Sequence, residues 1–193
     1  GIALEILLPE RTREIKLRNL MKEVKETANR LGMDVTAVDT LSYDVAQKPV
    51  VSVTATGLMK SRQKLPKELY EIPEKYSIVM AGAAGKLGTK ILWQQEKVQE
   101  RFAKFYLKQT EEVFSELSVA DAVKAADGIS IYAKAASSTG IFGALWDISE
   151  DLRIGFQVSL EDILFHQETI ECCEVYDKNP YLISSVGTVL FVT

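Results

Sequence analysis

Apolar and polar residues alternate imperfectly over residues 2–8, IALEILL, which predicts a strand ending at Pro9. From Glu10 to Leu31 the period lengthens. Leu17, Leu20, Met21, Val24, Ala28 and Leu31 share one helical face, Lys, Arg and Glu fill the other, and Gly32 marks the stop. Residues 33–41 and 50–59 return to β-rich alternation, with Tyr43 to Pro49 expected as an antiparallel turnback between them. Strand, helix, strand, strand is half of a ferredoxin-like unit. Residues 60–76 interleave Lys60, Arg62, Lys64, Lys67 and Lys75 with Pro66 and Pro73, and read as a connecting segment. Two domains are therefore expected, 1–60 and 61–193.

The second half predicts a strand at 76–82 and then a helix, continuous or broken, to about Leu117. Ser118 is placed to cap a short helix over 119–127, before a strand at 129–135. Further strands are expected at 154–160 and 185–193, with a helix over 166–177 whose Ile170 and Val175 point inward. The chain is organised around 137–152, SSTGIFGALWDISEDL. Ser137, Ser138 and Thr139 are each able to accept a first-turn N–H, and Gly140 allows close approach of a backbone or ligand. Ile141, Leu145 and Ile148 form the apolar stripe. Two readings stand side by side: an ordinary buried capped helix, and an anion site at its positive end. The fold class is α+β.

Composition narrows the function. A net charge of −4 over 193 residues recommends no nucleic-acid partner, and no apolar run reaches the length of a membrane helix. No signal peptide is visible, and adjacent Cys172 and Cys173 suit neither a structural disulfide nor a zinc site, so a reduced, cytoplasmic protein is expected. The single histidine, His166, is read as a helix-start residue. Two nucleotide motifs fail at AGAAGKLGT (81–89). Gly82 and Gly85 are too close for a P-loop, and the acid-bearing second strand of a dinucleotide fingerprint is replaced by helix. The glycines are read as packing devices. Asp147, Glu150 and Asp151 are read as a solvated helix end. Asp39 and Asp44 are the carboxylates nominated for a ligand or metal.

Three segments together carry a resemblance: PVVSVTATG, SIVMAGAAGKLGTKIL, and the run from GALWDISEDL through NPYLISSVGTVLFVT. They resemble the aminoimidazole ribonucleotide synthetase (PurM-like) superfamily, and within it the HypE family of hydrogenase-maturation dehydratases. The resemblance implies ATP with magnesium as cofactor and a homodimer formed through the strands of the N-terminal domain. It also implies a maturation partner protein and ATP-dependent dehydration of a carbamoyl-thiol.

The motifs depart from the family at identifiable places. Where the family carries Gly-Gly-His-Thr-Glu, this chain has Ala37, Val38, Asp39, Thr40 and Leu41. Where it carries Asp-x-Thr-x-Gly-Gly, this chain has Ala135 through Gly140. The family's Asp-Asp segment is expected before Gly1 and its last elements after Thr193, so a piece of a longer protein is expected. The resemblance assigns cofactor contacts to Asp39, Thr40, Ser137, Ser138, Thr139 and Gly140. The missing Asp, His and Glu predict slow or absent ATP turnover, with a dimeric scaffold as the alternative function.

Overall fold

A computed structural model describes residues 1–44, 47–58 and 65–193. The chain divides into two compact units, residues 1–62 and 63–193. Met59 at the end of the expected third strand, Lys60, Arg62 and Lys64 of the basic connecting stretch, and residues 45–46 of the expected turnback lie outside the described residues.

In the first unit, β1 (Ile2–Pro9) is central, paired parallel to β2 (Val35–Tyr43) and antiparallel to β3 (Val50–Ala55). The chain does reverse between β2 and β3, but not as a hairpin: β3 lies across β1, on the far edge. The helix α1 (Glu14–Arg30) makes the crossover between β1 and β2. It starts four residues later than its periodicity suggests, because a turn closes first with Thr12 N–H donating to the Pro9 carbonyl. At its other end Gly32 donates to Asn29 and Met33 to Ala28, a Schellman stop that glycine enters at φ 67°. Leu17, Leu20, Met21 and Val24 cover Leu4, Ile6 and Leu8 of β1. That is one side of the sheet only. Every residue of β3, and β2 beyond Val35, remains exposed.

The second unit holds a sheet in the order β4 (Ile78–Ala81), β6 (Val189–Val192), β5 (Tyr132–Ala135), all antiparallel. β6 is buried along its whole length, as a central strand should be. The helix α7 (Gly140–Leu152) covers this sheet through Ile141, Ala144, Leu145, Ile148 and Leu152, which pack with Leu190 and Val192. The expected connecting segment contributes to this core. A short helix, α2 (Glu68–Glu71), and a 3-10 turn at Pro73–Lys75 form within it, and Leu69 is 1% exposed.

The long helix expected after β4 breaks into α3 (Lys86–Trp93), α4 (Glu96–Arg101) and α5 (Lys104–Val113). An unbroken helix would separate Trp93 from Tyr106 by about 20 Å. The breaks instead bring their rings to 5.7 Å, with Phe102 stacked on Trp93 at 5.5 Å. This second core also contains Val98, Leu107 and Cys172. Gln99 caps the broken end by donating to the Trp93 carbonyl. The short helix α6 (Ala120–Ala125) follows, with the Ser118 hydroxyl accepting from Ala120 N–H at 3.3 Å.

Residues 154–160 form no strand. After Arg153 turns left-handed at φ 55°, Ile154 and Val158 pack on the core without meeting a ladder, and a 3-10 turn follows at Leu160–Asp162. In α8 (Gln167–Val175) the fully buried residues are Thr169, Cys172 and Cys173, while Ile170 and Val175 are only half-buried.

Candidate functional site

The nominated residues fall in both units, and each group is described within its own. Asp39 and Thr40 are exposed neighbours on β2. Side chains alternate along a strand, so the two point to opposite faces of the sheet. Asp39 is registered against Glu5, and Thr40 against Ile6, whose side chain faces α1. Asp39 therefore lies on the side away from the helix. There Glu5, Leu7, Asp39, Leu41, Val50 and Ser52 line a shallow groove of about 250 Å³. Neither Glu5 nor Asp39 has a hydrogen-bond or ion-pair partner among the described residues. Two unpaired carboxylates side by side offer hard oxygen ligands of the kind magnesium takes. Asp44 sits in the turn after β2 and is not part of this groove.

In the second unit, Ser137 to Gly140 form one turn leading into α7. The Ser137 and Thr139 hydroxyls lie 2.9 Å apart, and Gly140 N–H donates to the Ser137 carbonyl. The expected side-chain cap is absent. The N–H groups of Ile141 and Phe142 go instead to the Tyr181 carbonyl, at 3.1 and 3.5 Å. A backbone oxygen thus occupies the place where an anion would bind. Gly140 has the role of close approach: at φ 77°, a side chain there would run into the Tyr181 carbonyl and come within 2.8 Å of the Leu182 Cα. Ser137, Ser138 and Thr139 are exposed residues.

Three strand ends meet at the loop before β6. Ser185, completely buried, donates its N–H to Ser137 O and accepts the Gly85 N–H on its hydroxyl. Thr188 bonds the Ala83 carbonyl through its hydroxyl. The glycines after β4 are packing devices, as read from the sequence, and their partner is this loop: a methyl at Gly82 would meet the Gly187 carbonyl and one at Gly88 the Ser184 backbone. His166 does begin α8, through its carbonyl, which accepts Thr169 N–H, while its ring stands edge-on to Phe114.

The acidic exit of α7 is not a merely solvated end. Lys134 reaches Asp147 at 3.1 Å and Asp151 at 3.2 Å, and the Tyr132 hydroxyl donates to Asp151. Burial and that bond push the Tyr132 hydroxyl up to about 12. The bonds from Tyr132 and Lys134 hold Asp151 below the usual carboxylate range, and the bond to Asp147 raises Lys134. Sequence reasoning missed this network, although Tyr132 and Lys134 share a strand face and Asp147 and Asp151 are one helical turn apart. Cys172 and Cys173 are free and buried; burial raises both thiols, Cys172 to about 12, which leaves them inert at neutral pH.

These two units reproduce the α+β, PurM-like fold expected from the sequence. By structure the chain is similar to E. coli HypE, a hydrogenase maturation protein, at 14% identity and TM-score 0.73, covering 100% of this chain and 58% of that one. It is also similar to the thiamine monophosphate kinase of Aquifex aeolicus, at 16% identity and TM-score 0.65, covering 99% of this chain and 64% of the kinase. A HypE structure in complex with ATP matches at 12% identity and TM-score 0.65, covering 99% of this chain and 56% of that one. The chain thus spans less than two thirds of the length of these structures. Compared by sequence, it matches no family model and no curated protein. No helix among the described residues is long and apolar enough to cross a membrane.

Proposed function

We propose that this chain is the ATP-binding part of a HypE-like protein, working in the cytoplasm as a homodimer with a maturation partner. The observation that carries the reading is the fold, shared over the whole chain with HypE and with a kinase, both of which have been captured with ATP or the analogue AMPPCP. A HypE–HypF complex among the similar structures supports a protein partner. In this reading Asp39 and Glu5 would hold magnesium on the open face of the first unit's sheet, Thr40 on the opposite face would not share that ligand, and within the second unit Gly140 would fix the turn that carries the hydroxyls of Ser137, Ser138 and Thr139. Bound magnesium would neutralise phosphate charge. The reaction would be ATP-dependent dehydration of a carbamoyl-thiol. Slow ADP formation above a heat-inactivated control, dependent on a carbamoylated cysteine peptide and lost in Asp39→Ala, is the expected result; no turnover in a folded protein would remove the reaction from the proposal.

A second reading keeps the binding and drops the chemistry. It is favoured by Ala135 and Leu41, which stand where the resemblance calls for Asp and Glu, and by Tyr181, whose carbonyl takes the first-turn N–H groups of α7. In that case ATP binds without turnover and the protein serves as a dimeric scaffold.

A further inference from the structure

A groove of about 500 Å³ lies between α3 and α5, lined by none of the residues assigned above to ATP. Its floor is apolar: Trp93, Leu107 and Phe114, each less than a tenth exposed. The floor is also rigid, because the Trp93 indole donates to the Leu107 carbonyl and its ring is stacked on Phe102. Around it stand Lys90, Lys104 and Lys108, with Glu111 as the one acid. None of these three ammonium groups has a hydrogen-bond or ion-pair partner among the described residues.

No ion pair among the described residues offsets this gathering. Three like charges around one concavity repel. Lys104 is in the first turn of α5, where a cation opposes the helix dipole and no acidic residue offsets it. The packing here comes from the aromatic cluster, which needs none of the three. The geometry points to a binding site for a small molecule carrying two or more negative charges of the phosphate class. Ammonium groups recognise phosphate as point charges, the groove's size is that of a small-molecule site, and the apolar floor accepts a carbon skeleton.

The chain has two tryptophans, and Trp146 is 68% exposed, so Trp146→Phe leaves Trp93 as the reporter on the groove floor. Inorganic pyrophosphate, and separately AMP, are titrated into this variant at constant ionic strength while Trp93 emission is followed. A saturable change is expected. It should weaken about tenfold in Lys104→Gln/Lys108→Gln, tighten severalfold in Glu111→Gln, and fade as salt rises. Should the double variant not fold, Glu111→Gln decides. Saturation by pyrophosphate alone places a free phosphate in the groove; saturation by AMP places an ester there. No saturable change, an undiminished response in the folded double variant, or the same response to chloride overturns the site. So does a response to polyglutamate alone, which would mark a protein-docking surface. The groove is lined by none of the residues assigned to ATP, and the Lys104, Lys108 and Glu111 variants leave Asp39 in place, so this result and the ATP assay fail independently.

Discussion

Gly140 and Gly143 stand three residues apart on α7, and each meets a different obstacle. At Gly140 the backbone is left-handed and a methyl would strike the Tyr181 carbonyl; at Gly143 it would strike the Thr139 side chain. Gly140→Ala should therefore cost roughly 2–4 kcal/mol in urea unfolding, from strain and overpacking together. Ser137→Ala should cost less than about 0.5 kcal/mol, because Ser137 caps no first-turn donor of α7. The need for a small residue at 140 was legible from the glycine itself. Its partner was not, because Tyr181 acts through a backbone carbonyl that any residue would supply. The charged network around Lys134 titrates at both ends. Asp151 is lowered in the fold, so its contribution is present above the ordinary carboxylate range and lost as pH falls through its folded value. Tyr132 is raised, so its contribution is present below about pH 10 and lost as pH climbs towards about 12. Melting curves of Asp151→Asn should show a shallower acid limb and a shallower alkaline limb than the parent. Unchanged limbs would show that the network carries no linkage.

At the scale of elements, periodicity located α1 and α7 because each buries one apolar stripe against one sheet; it marked α8 as a helix but on the wrong stripe, since that helix buries Thr169, Cys172 and Cys173. It failed at 154–160, where alternation of Ile154, Phe156 and Val158 looks like a strand but no neighbouring edge receives it. It also could not decide where the helix after β4 breaks, since the deciding contact is between rings that a straight helix would hold apart. Trp93 closes that contact through Phe102, Tyr106 and Leu107. Trp93→Ala should destabilise the protein by about 3–5 kcal/mol, and near-ultraviolet circular dichroism of the aromatic cluster should collapse with it. A loss below about 1 kcal/mol would mean that α3, α4 and α5 are held some other way.

For the molecule as a whole, the α+β fold was legible because three separate segments carried the resemblance, and the observed architecture agrees with it at 14% identity. The candidate site was only partly legible. Asp39 could be nominated, but its neighbour Glu5 is far away in sequence and enters only through strand register. The first unit's sheet has one covered and one open face, with Leu41, Tyr43 and Val50 about half exposed. Exposed edges and apolar positions of this kind ask for a partner, and the proposed dimer supplies one. Leu41→Lys/Val50→Lys should convert it to monomer in light scattering at micromolar concentration; a monomeric parent would contradict the dimer. The proposal that joins fold to function is that Asp39 holds the magnesium of bound ATP. Calorimetric titration of ATP and magnesium into the protein tests it most directly. Saturable binding is expected in the parent, at least about tenfold weaker in Asp39→Ala and undiminished in Asp44→Ala. Equal binding in the parent and Asp39→Ala, or no heat of binding to a folded parent at millimolar ATP, would contradict it.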